Sequence, residues 1–225
     1  MSLFDYAKAK LGLVDNHKKF PLGLHPGTQI EIKETPVIFA ETDGSVIKDI
    51  KRSAKIETTG YYQMGDTIVF RAYFDDGYCF IEVTVKETAP ETPISLRLFK
   101  MMNEDTPYPE LKRFLLTGRD PLIGCYQFGL DDNKIVYDRV WKSGTNAAKF
   151  VQPVNLVESI MDETKNIIQH DDHHFMLYQR SLPNMKEYLY ADYIFQERFD
   201  GQKAEMFYTF AGIDISVNDI NIYAS

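Results

Sequence analysis

Residues 169–174, Gln169-His170-Asp171-Asp172-His173-His174, hold the densest run of chemistry-bearing side chains in the protein. Neutral imidazoles and carboxylates are the donors from which zinc, manganese and iron sites are built. On an extended strand His170, Asp172 and His174 share one face, while Asp171 and His173 point to the other. Those three are the candidate ligands of a divalent metal, with Glu158 as a further donor. Against this stands the absence of any H-E-x-x-H pattern to complete the set. A solvated polar loop is therefore the first reading, a metal site the second, and no cofactor is expected.

Paired acids come next, because hydrolytic chemistry often splits two carboxylates into acid and base. Asp75 with Asp76, and Asp131 with Asp132, fall where hairpin tips need turn-forming residues, which accounts for them without catalysis. Glu158 and Asp162 stand four apart, a like-charge pair that a helix face disfavours unless a cation joins it. Tyr137, Arg139 and Trp141 alternate along a strand and form a candidate surface for a ligand or partner, the competing reading being core packing with an arginine at the rim. The chain has 14 tyrosines, many near charges, which suits a sheet face that binds another protein and equally a β-rich core. Cys79 and Cys125 lie in apolar stretches and read as small buried hydrophobes of a reducing cytoplasm. No Ser-x-x-Lys, G-x-S-x-G, Walker, G-x-G-x-x-G or C-x-x-C pattern occurs.

The elements that position these residues are mostly strands. Leu3, Phe4, Ala7 and Leu11 form one stripe of a short amphipathic helix, expected to dock onto the body, with weak peripheral membrane contact as its alternative. Residues 20–27, rich in proline and glycine, form a turn. From Thr28 to Lys86 β-branched and aromatic residues alternate with polar ones, most clearly in a hairpin of residues 67–74 and 78–85 around Asp75-Asp76-Gly77. Residues 89–93, Ala-Pro-Glu-Thr-Pro, mark a boundary. Helices are predicted over Pro109–Leu116 and over Pro153–Asp162, the latter from Leu156, Val157 and Ile160, with a strand at its start as the alternative. Strands resume at Gly124 and again beyond Phe175. The expected fold is α+β, mainly β: antiparallel sheets in two similar-sized halves, with a short N-terminal helix and one or two further helices. Its segments are residues 1–19 (the N-terminal helix), 20–88 (a β-rich half) and 94–225 (an α+β half), with one continuous domain as the alternative. A repeated G-x-Y-Q-x-G, at Gly60–Gly65 and Gly124–Gly129, raises the question of an internal duplication.

Composition narrows the partners. With 225 residues, 44% of them hydrophobic, and a formal net charge of -8, the chain is an acidic globular protein. It lacks the basic footprint that phosphate backbones require, so nucleic acid is not an expected partner. No apolar window reaches the ~18–20 residues needed to span a bilayer, and the first residues lack an export leader's pattern.

The hairpin Phe70–Val83, the stretch Tyr137-Asp-Arg-Val-Trp141, and Met176-Leu-Tyr-Gln-Arg180 followed by Glu187-Tyr-Leu-Tyr190 together resemble the YjfK-like family of uncharacterised bacterial proteins, from Leu22 to Tyr223. That resemblance implies a cytoplasmic bacterial protein, often encoded beside proteins similar to phage shock protein A and glutathionylspermidine synthetase. It supplies no catalytic residues. The expected function is thus a non-catalytic accessory or scaffold protein binding another protein of an envelope-stress or membrane-maintenance system. The alternative is a metal-dependent enzyme using His170, Asp172 and His174.

Overall fold

Residues 20–117, 121–131, 134–141, 149–198 and 203–223 are described in the computed structural model; the helix expected near the N-terminus lies outside them. The strands are β1 Gln29–Ile32, β2 Ser53–Met64, β3 Thr67–Phe74, β4 Cys79–Lys86, β5 Ala89–Asp105, β6 Gln127–Leu130, β7 Ile135–Arg139, β8 Val154–Met161, β9 Ile167–Ser181, β10 Lys186–Arg198, β11 Lys203–Asp214 and β12 Ile220–Tyr223. Helix α1 spans Glu34–Thr42, and α2, Pro109–Lys112, runs into a π turn at Arg113–Thr117. No helix among the described residues is long and apolar enough to cross a membrane.

Every strand pairing is antiparallel, and eight strands close on themselves in the order β2-β3-β4-β5-β11-β10-β9-β8. The ring is sealed where β8 meets β2 through the pairs Thr59↔Met161, Gly60↔Ile160 and Tyr61↔Ser159. A closed barrel replaces the expected pair of sheet halves. The reason lies in burial on both faces. Side chains pointing inward from a barrel of this size fill or line its lumen, while many of the outward ones are covered by β1 and α1 on one side and by β6, β7, Leu115 and Ile123 on another. Strand β8 shows the consequence. Leu156, Glu158 and Ile160 turn inward and Ser159 and Met161 outward, all of them buried, so the apolar/polar alternation that announces a strand is lost. The Leu156-Val157-Ile160 spacing then mimics a helix, and the predicted helix over 153–162 is a strand.

Two apolar cores result, one on each side of the barrel wall. The inner one joins Tyr62, Val69, Phe80, Phe99, Leu156, Phe175, Leu177, Tyr188 and Tyr190. The outer one packs Leu24, Ile30, Ile32, Val37 and Ala40 with barrel residues such as Phe70, Phe74, Ile81, Leu98 and Ile213. Each such side chain contributes roughly 1.5–3 kcal/mol when fully buried. A polar clasp reinforces the outer contact. Glu187, on the outer face of β10, accepts hydrogen bonds from Val46 N–H at 2.8 Å, Tyr137 O–H at 2.7 Å and Arg180 Nε at 2.5 Å, and from the Ser45 hydroxyl.

Candidate functional site

Hairpin geometry places the first charges inside the barrel. Counting symmetrically back from the four-residue loop 75–78 sets Arg71 opposite Glu82, and the β4–β5 register sets Glu82 opposite Arg97. Directly opposed strand residues share a face, and here that face is the lumen. Arg71 is 3% exposed; its Nε lies 3.3 Å from Glu82 Oε2 and its Nη1 3.1 Å from Glu158 Oε2. Its guanidinium carbon sits 5.0 Å from the ring centre of Tyr62, 5.2 Å from Phe80, 5.1 Å from Tyr190 and 5.9 Å from Phe175. Cation and aromatic faces attract through the ring quadrupole, most strongly where water is excluded.

Glu158 reaches Arg71 across the closing seam. It stands on β8, two strands from β3, and its carboxylate lies over Gly60 of the intervening β2. A Cβ on residue 60 would fall 1.9 Å from Glu158 Oε1. The glycine is required for this close approach. Tyr73 O–H donates to Glu158 at 2.9 Å, and Tyr190 O–H donates to Glu82 at 3.0 Å. Burial opposes ionisation of Glu158, but Arg71 and His173 outweigh it and hold the carboxyl below its ordinary range.

His173 of β9 completes the group. Its Nδ1 is 2.8 Å from Asp192 Oδ2 of β10. Its Nε2 lies 3.0 Å from Glu158 Oε2, off the line of a good hydrogen bond, so that attraction is chiefly electrostatic. Burial disfavours the imidazolium, yet Asp192 and Glu158 overcome this and push its pKa up to about 10. A general base working near neutrality needs a pKa near 7 and a ring nitrogen open to substrate. His173 has neither, because it keeps its charge and both nitrogens face carboxylates.

Above this floor one end of the barrel opens into a cavity of about 290 Å³. Its wall is a continuous run of rings: Tyr73 against Phe80 (centres 5.4 Å apart), Phe80 against Phe210 (5.2 Å), and Phe210 against Tyr208 (5.6 Å). Asp171, His173 and Asp192 face it from β9 and β10. Asp192 is 1% exposed, and its Oδ1 has no hydrogen-bond partner among the described residues. An unpaired buried acceptor costs ~1–3 kcal/mol, so its persistence points to a role.

Residues 6–221 match the family described as Protein of unknown function (DUF2491). The chain belongs to that family. No curated protein and no solved structure matches it. For this DUF2491 protein the site therefore rests on its own geometry, and that geometry turns the His-Asp run around. The run is a strand segment rather than a solvated loop, since the barrel buries its lumenal side. The lumenal residues are Asp171 and His173. His170, Asp172 and His174 line the outer face of β9, half-buried, with His174 edge-on to Phe195 (centres 5.2 Å apart). Alternate strand residues are spaced ~6.6 Å, which leaves the ends of this row ~13 Å apart, and zinc–nitrogen bonds are only ~2 Å long. No group of three or more His, Cys, Asp or Glu residues that could hold a metal occurs among the described residues.

Tyr137 and Arg139 are buried: Tyr137 serves the Glu187 clasp, and Arg139 Nη1 donates to Gly124 C=O at 2.7 Å. Trp141 packs edge-on against Phe175, centres 5.2 Å apart, at the margin of the inner core. Cys79 and Cys125 form no disulfide; Cys79 is buried, and burial pushes its thiol up to about 12. The two G-x-Y-Q-x-G stretches have unlike surroundings. Gly60 lies under Glu158, whereas Gly124 has φ +105° and would set a Cβ 2.1 Å from Val151 C=O.

Asp171 yields a test. Burial raises its pKa from 3.8 to about 6, despite the opposing charge of His173 and a 2.6 Å hydrogen bond from Gln169. A folded-state pKa above the unfolded value favours folding fully below pH 3.8, and that contribution is lost as pH rises through 6. Asp171→Asn, which carries no charge to desolvate, is expected to stabilise the protein by about 2–3 kcal/mol at pH 8. Below pH 4 the gain should vanish. Urea unfolding at both pH values checks this, and equal stability of variant and wild type at pH 8 would refute it.

Proposed function

We propose that this protein is a non-catalytic ligand-binding barrel that takes a small molecule into the open end of its lumen. The observation that carries the reading is the cavity itself: aromatic walls, a floor of buried charges already paired with one another, and one buried carboxylate oxygen left without a partner. Ligand sites generally combine apolar walls with a few placed polar groups in this way. The rigid pairing of Arg71, Glu82, Glu158 and His173 supports binding over turnover, because it keeps each charge fixed in one state.

This reading keeps the accessory role expected from sequence. A YjfK-like protein of the bacterial cytoplasm, binding a partner of an envelope-stress or membrane-maintenance system, would do so as a ligand-dependent barrel. The two cysteines without a disulfide fit a reducing compartment. Support for a partner surface made of sheet tyrosines is reduced, since Tyr61, Tyr62, Tyr137, Tyr178, Tyr188, Tyr190 and Tyr193 are buried.

The test is a thermal-shift screen of small molecules of mixed charge, with fluorescence of Trp141, the single tryptophan, as a second signal. Ligands that bind only the folded state raise Tm by mass action. Thr58, part of the cavity lining, provides the control: Thr58→Phe fills the mouth and should abolish each shift. If no compound raises Tm, or if all do so equally in Thr58→Phe, the reading is wrong.

A further inference from the structure

The chemistry left over in the lumen specifies the sign of the ligand. Around the cavity floor the cations are Arg71, His173 and, behind Glu82, Arg97, and the carboxylates are Glu82, Glu158, Asp171 and Asp192. Arg71 is answered by Glu82 and Glu158, and His173 by Asp192 Oδ2 and Glu158. Three cations, of which Arg97 is shared with Asp214, facing four acids leave an excess of negative charge. That excess is concentrated on Asp171 and Asp192, the pair that lines the opening. Both are buried, at 6% and 1% exposure, so solvent screens them little. Glu57, at the exposed rim, adds a charge of the same sign.

The site also offers an anion no unengaged cation among the described residues. The cations facing the cavity are engaged with carboxylates, whereas Asp192 Oδ1 is an acceptor with no donor among the described residues. Beside it stand the rings of Tyr73, Phe80, Phe210 and Tyr208, which favour a positive group. The same barrel already holds one cation by this chemistry: the Arg71 guanidinium is enclosed by four rings and two carboxylates.

Building on the reading of the lumen as a binding site, we propose that its ligand is a small organic cation, a protonated amine on an apolar or aromatic body. The ammonium sits against Asp192 Oδ1 and Asp171, and the body lies along the aromatic wall. Metal ions are a poorer match, because the oxygen donors are too few and the rings offer none.

Benzylammonium, benzyl alcohol and benzoate share a size and differ in charge, so calorimetric titration of the full-length protein at pH 7.5 with each separates the alternatives. Benzylammonium is expected to bind at least tenfold more tightly than benzyl alcohol, with benzoate weakest. Asp192→Asn should bring benzylammonium down to the level of the alcohol. Since Asp192 also holds His173, Asp171→Asn is the second variant; it leaves that pair intact and should weaken benzylammonium severalfold without affecting the alcohol. Binding of benzyl alcohol or benzoate as tight as that of benzylammonium, and blocked by Thr58→Phe, overturns the cation proposal and leaves the binding-barrel reading standing. Absence of binding by all three overturns the proposal, and the thermal-shift screen then decides the wider reading separately.

Discussion

Arg71→Leu is expected to destabilise the protein by about 3–5 kcal/mol, the range found when one partner of a buried ion pair is removed and the other is left uncompensated. Here two carboxylates lose their counter-charge, Glu82 at 2% exposure and Glu158 at 0%. Leucine fills much of the arginine's volume, so the loss measures charge rather than a void. Glu82 retains the Tyr190 hydroxyl and Arg97 at 3.8 Å, while Glu158 retains Tyr73 and His173. A double variant, Arg71→Leu with Glu158→Gln, removes the most deeply buried orphaned charge and should recover at least 1–2 kcal/mol, a coupling that independent sites would not show. Urea unfolding of both variants provides the measurement. A single variant within 1 kcal/mol of wild type, or a double variant that is simply additive, would mean that the lumen charges are solvated and that the described burial does not govern the site.

Many strands were legible in the chain but the barrel they close into was not, and the parts that were missed share a cause. The hairpin of β3 and β4 is local, defined by a turn signal and two alternating runs, but its register is finer than that signal: a three-residue turn at 75–77 would oppose Arg71 to Ile81, whereas the loop takes residues 75–78 and pairs Arg71 with Glu82. Closure is not local. Residues 159–161 meet 59–61 across about a hundred positions of sequence, and nothing in either segment names its partner. Residues 89–93 look like a linker because of Pro90 and Pro93, yet they begin β5 where its register against β4 shifts, the kind of irregular pairing in which a strand tolerates proline. His173 and Asp171 were visible as half of an alternating run, but polarity suggested that the run was solvated. A closed barrel can bury a polar face when each charge meets another, and that condition is met only by side chains from β3, β4, β8 and β10 together. An arginine and a glutamate within one otherwise apolar hairpin were the available signal that this sheet has a polar interior.

Gly60→Ala, the smallest possible change, is expected to cost about 3 kcal/mol or more because it strikes closure and the charge cluster at once. The added methyl would stand 1.9 Å from Glu158 Oε1 and 2.8 Å from Ile160 Cδ1. Crowding a packed interior costs ~1–3 kcal/mol by itself, and the relief available is to swing the Glu158 carboxylate away, which strips Arg71 of one partner. The alternative is to part β2 from β8, whose contact is only the three pairs at residues 59–61. Gly44→Ala separates crowding from backbone effects: Gly44 has φ +82° with nothing within 4 Å of its would-be Cβ, so its cost should stay near 1 kcal/mol. Native-state hydrogen exchange should show the Gly60→Ala effect at the seam amides first, with those of the β9–β10 pairing protected as before. Adding Glu158→Ala to Gly60→Ala clears the space over residue 60, so the double variant should be more stable than the sum of its singles. Equal costs at Gly44 and Gly60, or seam amides no more labile than the rest, would show that the barrel does not depend on a side-chain-free position beneath Glu158.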